Sequence, residues 1–251
     1  MPAGLAQAYK SPVQKARVVS EGWGHDNLYC PHCPAPVLIS SPPNTQAVDY
    51  VCPRCGLPFQ LKSQSSPLGN RIVDAGYEAM MRAIREDRTP NLFVLHYARD
   101  YWEVRNVILV PHFIFSASAV EKRKPLAATA RRAGWVGCNI VLRNIPLEAR
   151  INLVRDGNVE SPARVRDQYR RLEPLKEIGV QQRGWTLDVL HLVQSLGKRE
   201  FTNAEVYAFE RRLEELHPDN RHIRDKIRQQ LQVLRDRGFL VQVERGVWAM
   251  K

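Results

Sequence analysis

Read for the spacing of apolar and polar positions, the chain falls into two portions. An alternating strand-and-helix portion runs to about residue 160 and a mostly helical one starts at about residue 183, with a basic, proline-containing stretch between them. In the first, the pattern predicts a helix from Pro12 to Ser20, a Cys- and Pro-rich stretch, and short strands around Val48 to Val51 and Phe59 to Lys62. Asp74 is placed to cap a helix that runs to about Glu86, with Tyr77, Met80, Met81 and Ile84 on one face. Two β-rich runs follow, Asn91 to Tyr97 and Val104 to Val110. This order predicts an α/β fold, a mixed sheet flanked by helices.

The tail has a different rhythm. Trp185, Leu187, Leu190, Val193 and Leu196 predict one amphipathic helix, and Thr202-Asn203-Ala204-Glu205 is a capping box that starts another. A third helix is expected from about Arg221 to Arg237, ended by Gly238. Phe239 to Val243 and Val247 to Met250 then flank Glu244-Arg245-Gly246 as a hairpin. Three helices and a terminal hairpin predict a winged helix, so the chain divides into residues 1–180 and 181–251.

Composition narrows the setting. A chain of 251 residues, 44% hydrophobic and 25% charged, is ordinary for a globular protein, and no segment approaches the ~20 apolar residues that cross a bilayer. The first ten residues lack the apolar run of a secretory signal, so a reducing cytoplasm without disulfides is expected. The net charge of +11 favours a polyanionic partner, because clustered Lys and Arg release counterions from nucleic acid. Charge alone does not name that partner.

The cysteines carry the first specific chemistry. Cys30-Pro-His-Cys33 and Cys52-Pro-Arg-Cys55 are two C-x2-C knuckles separated by 18 residues, the spacing of four thiolates that close a tetrahedral zinc site. Four cysteine ligands leave no open coordination position, so such a zinc is structural. The competing readings are a redox pair or four unrelated buried thiols. Cys138 is left over as a core residue.

Asp49 precedes the second knuckle, and Gln60 and Lys62 follow it. Two apart on a strand, Gln60 and Lys62 face the same side. A carboxylate and an amide oxygen can hold Mg²⁺ on a scissile phosphate while a Lys ammonium stabilises developing charge and orients the attacking water. The alternative is that Asp49 and Lys62 are surface charges of a zinc ribbon, and spacing alone leaves that open.

These residues also carry a resemblance. Asp49-x10-Gln60-x-Lys62 resembles the PD-(D/E)xK nuclease signature in its D-QxK form. Together with the knuckles, the segment from Arg123 to Ile140 and the tail from Lys226 to Asp236, it is similar to the DpnI-type restriction endonucleases. The resemblance spans both portions. It implies a PD-(D/E)xK core with a four-cysteine zinc site followed by a winged helix, and a Mg²⁺-dependent, methyl-directed type II enzyme cutting double-stranded DNA at GATC with N6-methylated adenines. One departure is Gln60, where that type has Glu; a neutral amide binds Mg²⁺ more weakly than a carboxylate. Glu21, expected at the end of the first helix, is a candidate for the missing charge.

Two surfaces are candidates for reading DNA. From Lys122 to Leu147 there are six basic residues, Lys122, Arg123, Lys124, Arg131, Arg132 and Arg143, and no acid. Trp135 sits among them, either as an apolar wall for a methyl group in the major groove or as a core residue. In the third tail helix Ile223, Ile227, Leu231 and Leu234 form the buried stripe, while Arg221, His222, Arg224, Arg228, Gln229 and Gln232 lie outside it. Arg pairs with guanine and Gln with adenine in the major groove, so this face suits a recognition helix; the alternative is a solvated face. Arg245, at the wing tip, is expected to meet phosphate. The rival to the nuclease is a non-catalytic zinc-ribbon and winged-helix regulator, in which Asp49 and Lys62 would not converge; a third reading is a nuclease of relaxed or non-GATC specificity, which shares the cleft residues and differs only in the reading surfaces.

Overall fold

The computed structural model describes residues 1–42 and 45–251. Helix α1 (Pro12–Asn27) begins with proline at its first position, where no intrahelical N–H is needed. It continues seven residues past Ser20, where the sequence pattern ends it. Gly22 and Gly24 look like stop signals but serve close packing: a Cβ on Gly22 would lie 2.6 Å from Leu5, and one on Gly24 would clash with the Tyr50 hydroxyl. Glu21 therefore sits within the helix rather than at its end.

Three strands follow: β1 (Ile39–Ser40), β2 (Tyr50–Val51) and β3 (Pro58–Gln64). Beyond them lie β4 (Arg71–Gly76), α2 (Tyr77–Arg85), β5 (Asn91–Ala98) and β6 (Glu103–Val110), then β7 (Val120–Lys122) and β8 (Gly137–Val141). The portion ends with β9 (Ile151–Arg155), β10 (Asn158–Val159) and α3 (Pro162–Leu172). Among the described residues the main sheet has the order β1-β2-β3-β5-β6-β9-β10, with β3 and β5 parallel and the other neighbours antiparallel. Its centre is apolar on both faces: Leu92 to Leu95 and Val107 to Val110 are all buried. A smaller sheet, β4-β8-β7, stands apart from it.

Asp74 corrects the helix start expected from sequence. It lies in β4, two residues before Gly76, which occupies the cap position of α2 and makes no side-chain cap bond. The Asp74 carboxylate is engaged instead with Lys62.

In the tail, α4 (Val180–Ser195) leads to β11 (Glu200–Thr202), α5 (Asn203–Tyr207), α6 (Glu210–Leu216), α7 (Ile223–Asp236), β12 (Leu240–Glu244) and β13 (Val247–Met250). Both halves of the Thr202/Glu205 capping box form, and Gly238 takes the positive φ of 82° that closes α7. The hairpin adds β11 to make a three-stranded wing sheet. The amphipathic reading of α4 is too small. Arg183, Trp185 to Leu190, Leu192 and Val193 are all buried, because α4 packs on α7 on one side and against α2 and the 117–119 turn on another. Its polar residues are paired accordingly: Arg183 with Asp87, Thr186 with Gln230, and Asp188 with Ser118 and His217.

Candidate active site

The four knuckle sulfurs converge. All lie within 4.8 Å of one another, with Cys30 Sγ 3.6 Å from Cys55 Sγ and Cys33 Sγ 3.5 Å from Cys52 Sγ. Thiolates at about 2.3 Å around a tetrahedral zinc stand roughly 3.8 Å apart, so the donor set fits a zinc ion in both chemistry and span. Burial pushes the Cys30 thiol up, and amides of Cys33 and His32 oppose it, so a cation is what would make this thiolate stable. From α3, Arg166 donates to the carbonyls of Cys30, Cys33 and Ala35 at 3.1 to 3.2 Å. His32 meets Glu173 at 2.5 Å. The knuckle is thereby tied to a helix distant from it in sequence.

The second knuckle closes the turn between β2 and β3. Asp49 lies just before β2; its N–H donates to the Phe59 carbonyl at 2.8 Å and its carboxylate accepts from the Leu61 N–H at 2.7 Å. These two bonds hold Asp49 against β3 on either side of Gln60. Gln60 and Lys62 share a strand face, as their spacing expects, and Asp49, Gln60 and Lys62 line one open cleft of about 950 Å³. Arg17, Glu21, Tyr50 and Asp74 line the same cleft.

Glu21 reaches this cleft from α1, locked there by the Tyr50 hydroxyl donating to its carbonyl at 2.7 Å. Its carboxylate is already met by Arg17 Nε at 2.8 Å, so the charge expected of it from sequence is half neutralised. Asp74 is the group that sequence reasoning assigned elsewhere. It is buried, and its Oδ1 lies 2.7 Å from Lys62 Nζ. No local pattern pairs positions 62 and 74, since β4 and β3 belong to different sheets. A second groove shares Arg17 and Lys62 with the first and adds Lys10, Lys15 and Arg99, isolated basic positions with no sequence signature.

The basic stretch after residue 122 is a loop joining β7 and β8, closed by Leu126 N–H to Trp135 O at 2.9 Å and Gly134 N–H to Leu126 O at 3.0 Å. Lys124, Arg131 and Arg132 are exposed on it. Trp135 is half-buried. One side of its ring lies on Gly76 and Gly137, paired across β4 and β8, and the Arg132 guanidinium sits 4.7 Å from its centroid. Trp135 is thus neither core nor a bare wall, and Arg132 must move for a base or methyl group to reach that ring.

On α7 the stripe is as expected, with Ile223, Ile227, Leu231 and Leu234 buried. Arg221 and His222 fall just before the helix rather than inside it, where His222 N–H donates to Asn220 Oδ1. They, with Arg224, Arg228, Gln229 and Gln232, are exposed, as is Arg245 at the wing tip. Arg224 meets Glu210 at 2.8 Å and Arg228 pairs with Asp225. Exposed pairs of this kind contribute only about 0–1 kcal/mol, so both guanidiniums remain available to an anion.

Comparison with known protein families adds two matches. The DpnI model, described as the Dam-replacing family, matches residues 1–178, and the Dam-replacing HTH domain matches residues 181–250.

Proposed function

Because this chain belongs to the Dam-replacing family, whose DpnI type implies a methyl-dependent restriction endonuclease, we propose that it cuts double-stranded DNA at GATC sites carrying N6-methyladenine. In this reading residues 1–180 hold the catalytic centre on a structural zinc, residues 181–251 anchor and read DNA, and the protein works in the cytoplasm. The observation that supports it is the convergence of Asp49, Gln60 and Lys62 on one cleft. A regulator would have no need of that convergence.

Asp49 and Gln60 are the groups that would hold Mg²⁺, which when bound supplies Lewis acidity to a phosphoryl oxygen. Asp49 is fixed for this by the Leu61 N–H, which keeps its carboxylate directed along β3. The Lys62 ammonium donates to the non-bridging oxygens as negative charge grows in the transition state, and its other hydrogens orient the attacking water. Phosphate-tracking groups, Lys10, Lys15, Arg17 and Arg99 in the second groove and the exposed Lys124, Arg131 and Arg132 of the loop, would hold the strand in place. Trp135, Arg221, His222, Arg224, Arg228, Gln229, Gln232 and Arg245 are the proposed reading groups.

The neutral amide at position 60 is the observation that favours the rival, a non-catalytic DNA-binding regulator. Digestion separates them. Plasmid from an adenine-methylating host, incubated with the protein and Mg²⁺, is expected to be cut at GATC, and plasmid from a non-methylating host to survive. Cutting of both would overturn the methyl-directed reading, and binding without any cutting would favour the regulator.

A further inference from the structure

We propose that Asp74 is a positioning residue of this cleft, which aims the Lys62 ammonium and supplies the negative charge that Gln60 does not. The inference rests on the nuclease reading of the cleft. Its starting point is the charge inventory of the lining. The lining carries four cations, Arg17, Lys62, Arg82 and Arg88, and four acids, Glu21, Asp49, Asp74 and Glu86, while Gln60 adds no charge. Without Asp74 the lining would be net positive and would repel a divalent cation. Asp74 brings it to neutrality and sets a negative charge beside Lys62.

Its placement fits this role better than a scaffold role. The Asp74 side chain is only 4% exposed, while its ammonium partner is 27% exposed. Asp74 Oδ1 is buried and has no directed hydrogen bond among the described residues, although Lys62 Nζ stands 2.7 Å away. A buried carboxylate is costly unless its lone pairs are well satisfied, so an apolar residue would serve β4 at least as well. The ion pair is incompletely satisfied and opens onto the cleft. The carboxylate also restricts a long, flexible side chain to one direction, which removes an entropy cost from the reacting arrangement.

The test is Asp74→Asn in the full, zinc-loaded chain, read by calorimetric titration with Mn²⁺ in the absence of DNA and by thermal melting. Losing one charge at short range is expected to weaken Mn²⁺ binding about tenfold or more. The discriminating variant is Gln60→Glu/Asp74→Asn, which moves the charge from strand β4 to strand β3. It is expected to regain wild-type Mn²⁺ affinity, a rescue that a merely structural Asp74 would not give, but not the wild-type cutting rate, because Lys62 is left without its guide. Undiminished Mn²⁺ binding by Asp74→Asn, a double variant with a normal melt whose Mn²⁺ affinity is not rescued, or one that cuts at the wild-type rate overturns the proposal. Should Asp74→Asn lose its cooperative melt, the same comparison between Lys62→Met and Lys62→Met/Asp74→Asn decides: weaker binding in the second supports it, equal binding overturns it. Wild-type protein that cuts methylated DNA while Asp74→Asn binds Mn²⁺ normally sinks only the role of Asp74. Wild-type protein that neither binds Mn²⁺ nor cuts sinks the nuclease reading as well.

Discussion

His217 Nε2 lies 2.8 Å from Asp188 Oδ2, and the imidazole stacks on Trp185 with centroids 3.7 Å apart. The other oxygen of Asp188 accepts from Ser118 Oγ, so one buried carboxylate joins α4, the approach to α7 and the 116–118 turn of the α/β portion. Asp188→Ala should leave the Ser118 hydroxyl and the His217 ring without their shared acceptor and cost roughly 1–3 kcal/mol. A urea melt of the full chain measures this as a lower midpoint. An unchanged midpoint would mean that the two portions do not depend on this junction.

Zinc should hold the catalytic portion together, because a site that forms only on folding contributes its binding free energy to stability. One zinc per chain is expected by elemental analysis, with Cys30→Ser or Cys52→Ser giving insoluble protein. Folded, active protein after exhaustive chelation and Mg²⁺ addition would contradict this.

Asp49→Ala or Lys62→Ala should lower the cleavage rate by about 10²–10³-fold or more while leaving DNA affinity nearly intact, since these groups act on the scissile phosphate. Single-turnover cleavage beside a binding titration separates the two effects. Gln60→Glu should lower the Mg²⁺ concentration needed for cutting, and an unchanged requirement would argue that position 60 is not a ligand.

Trp135→Ala should reduce methyl discrimination without abolishing DNA binding, because the α7 surface remains. Burying one methyl is worth about 0.8 kcal/mol, or roughly fourfold in affinity, for each adenine contacted. The measurement is the ratio of cutting rates on methylated and unmethylated duplex. Gly137→Ala should act in the same direction, since its Cβ would stand 2.9 Å from the Trp135 ring and push it off the sheet. A ratio unchanged in both variants would remove Trp135 from the reading surface.

Burial pushes the His112 imidazole down to about 4, helped by the charge of Lys176, and its Nε2 is buried without a hydrogen-bond partner among the described residues. The folded state thus binds this proton less readily than the unfolded chain, whose His titrates near about 6.5. Its neutral form favours folding fully above that value, and stability should fall as pH drops from about 6.5 towards 4. Urea midpoints across this window should decline less in His112→Gln than in wild type. Equal slopes would assign the acid sensitivity to other groups.

Elements with local signals are legible in the sequence alone. A doubled C-x2-C pattern brings four sulfurs together, the Thr202/Glu205 box and Gly238 fix helix ends within a turn, and the Gln60-x-Lys62 spacing fixes a shared strand face. Whatever depends on a partner distant in the chain is settled only by three-dimensional packing. The sequence pattern ends the first helix at Ser20, while in the fold it runs on through Gly22 and Gly24, against which Leu5 and Tyr50 are pressed. Asp74 reads as a cap until β4 brings it to Lys62, and α4 reads as half-solvated until α2 and α7 cover it from different sides. The physical reason is one of range. Backbone capping and strand alternation act within a few residues, whereas the cost of burying a charge is set by whichever group packing places beside it.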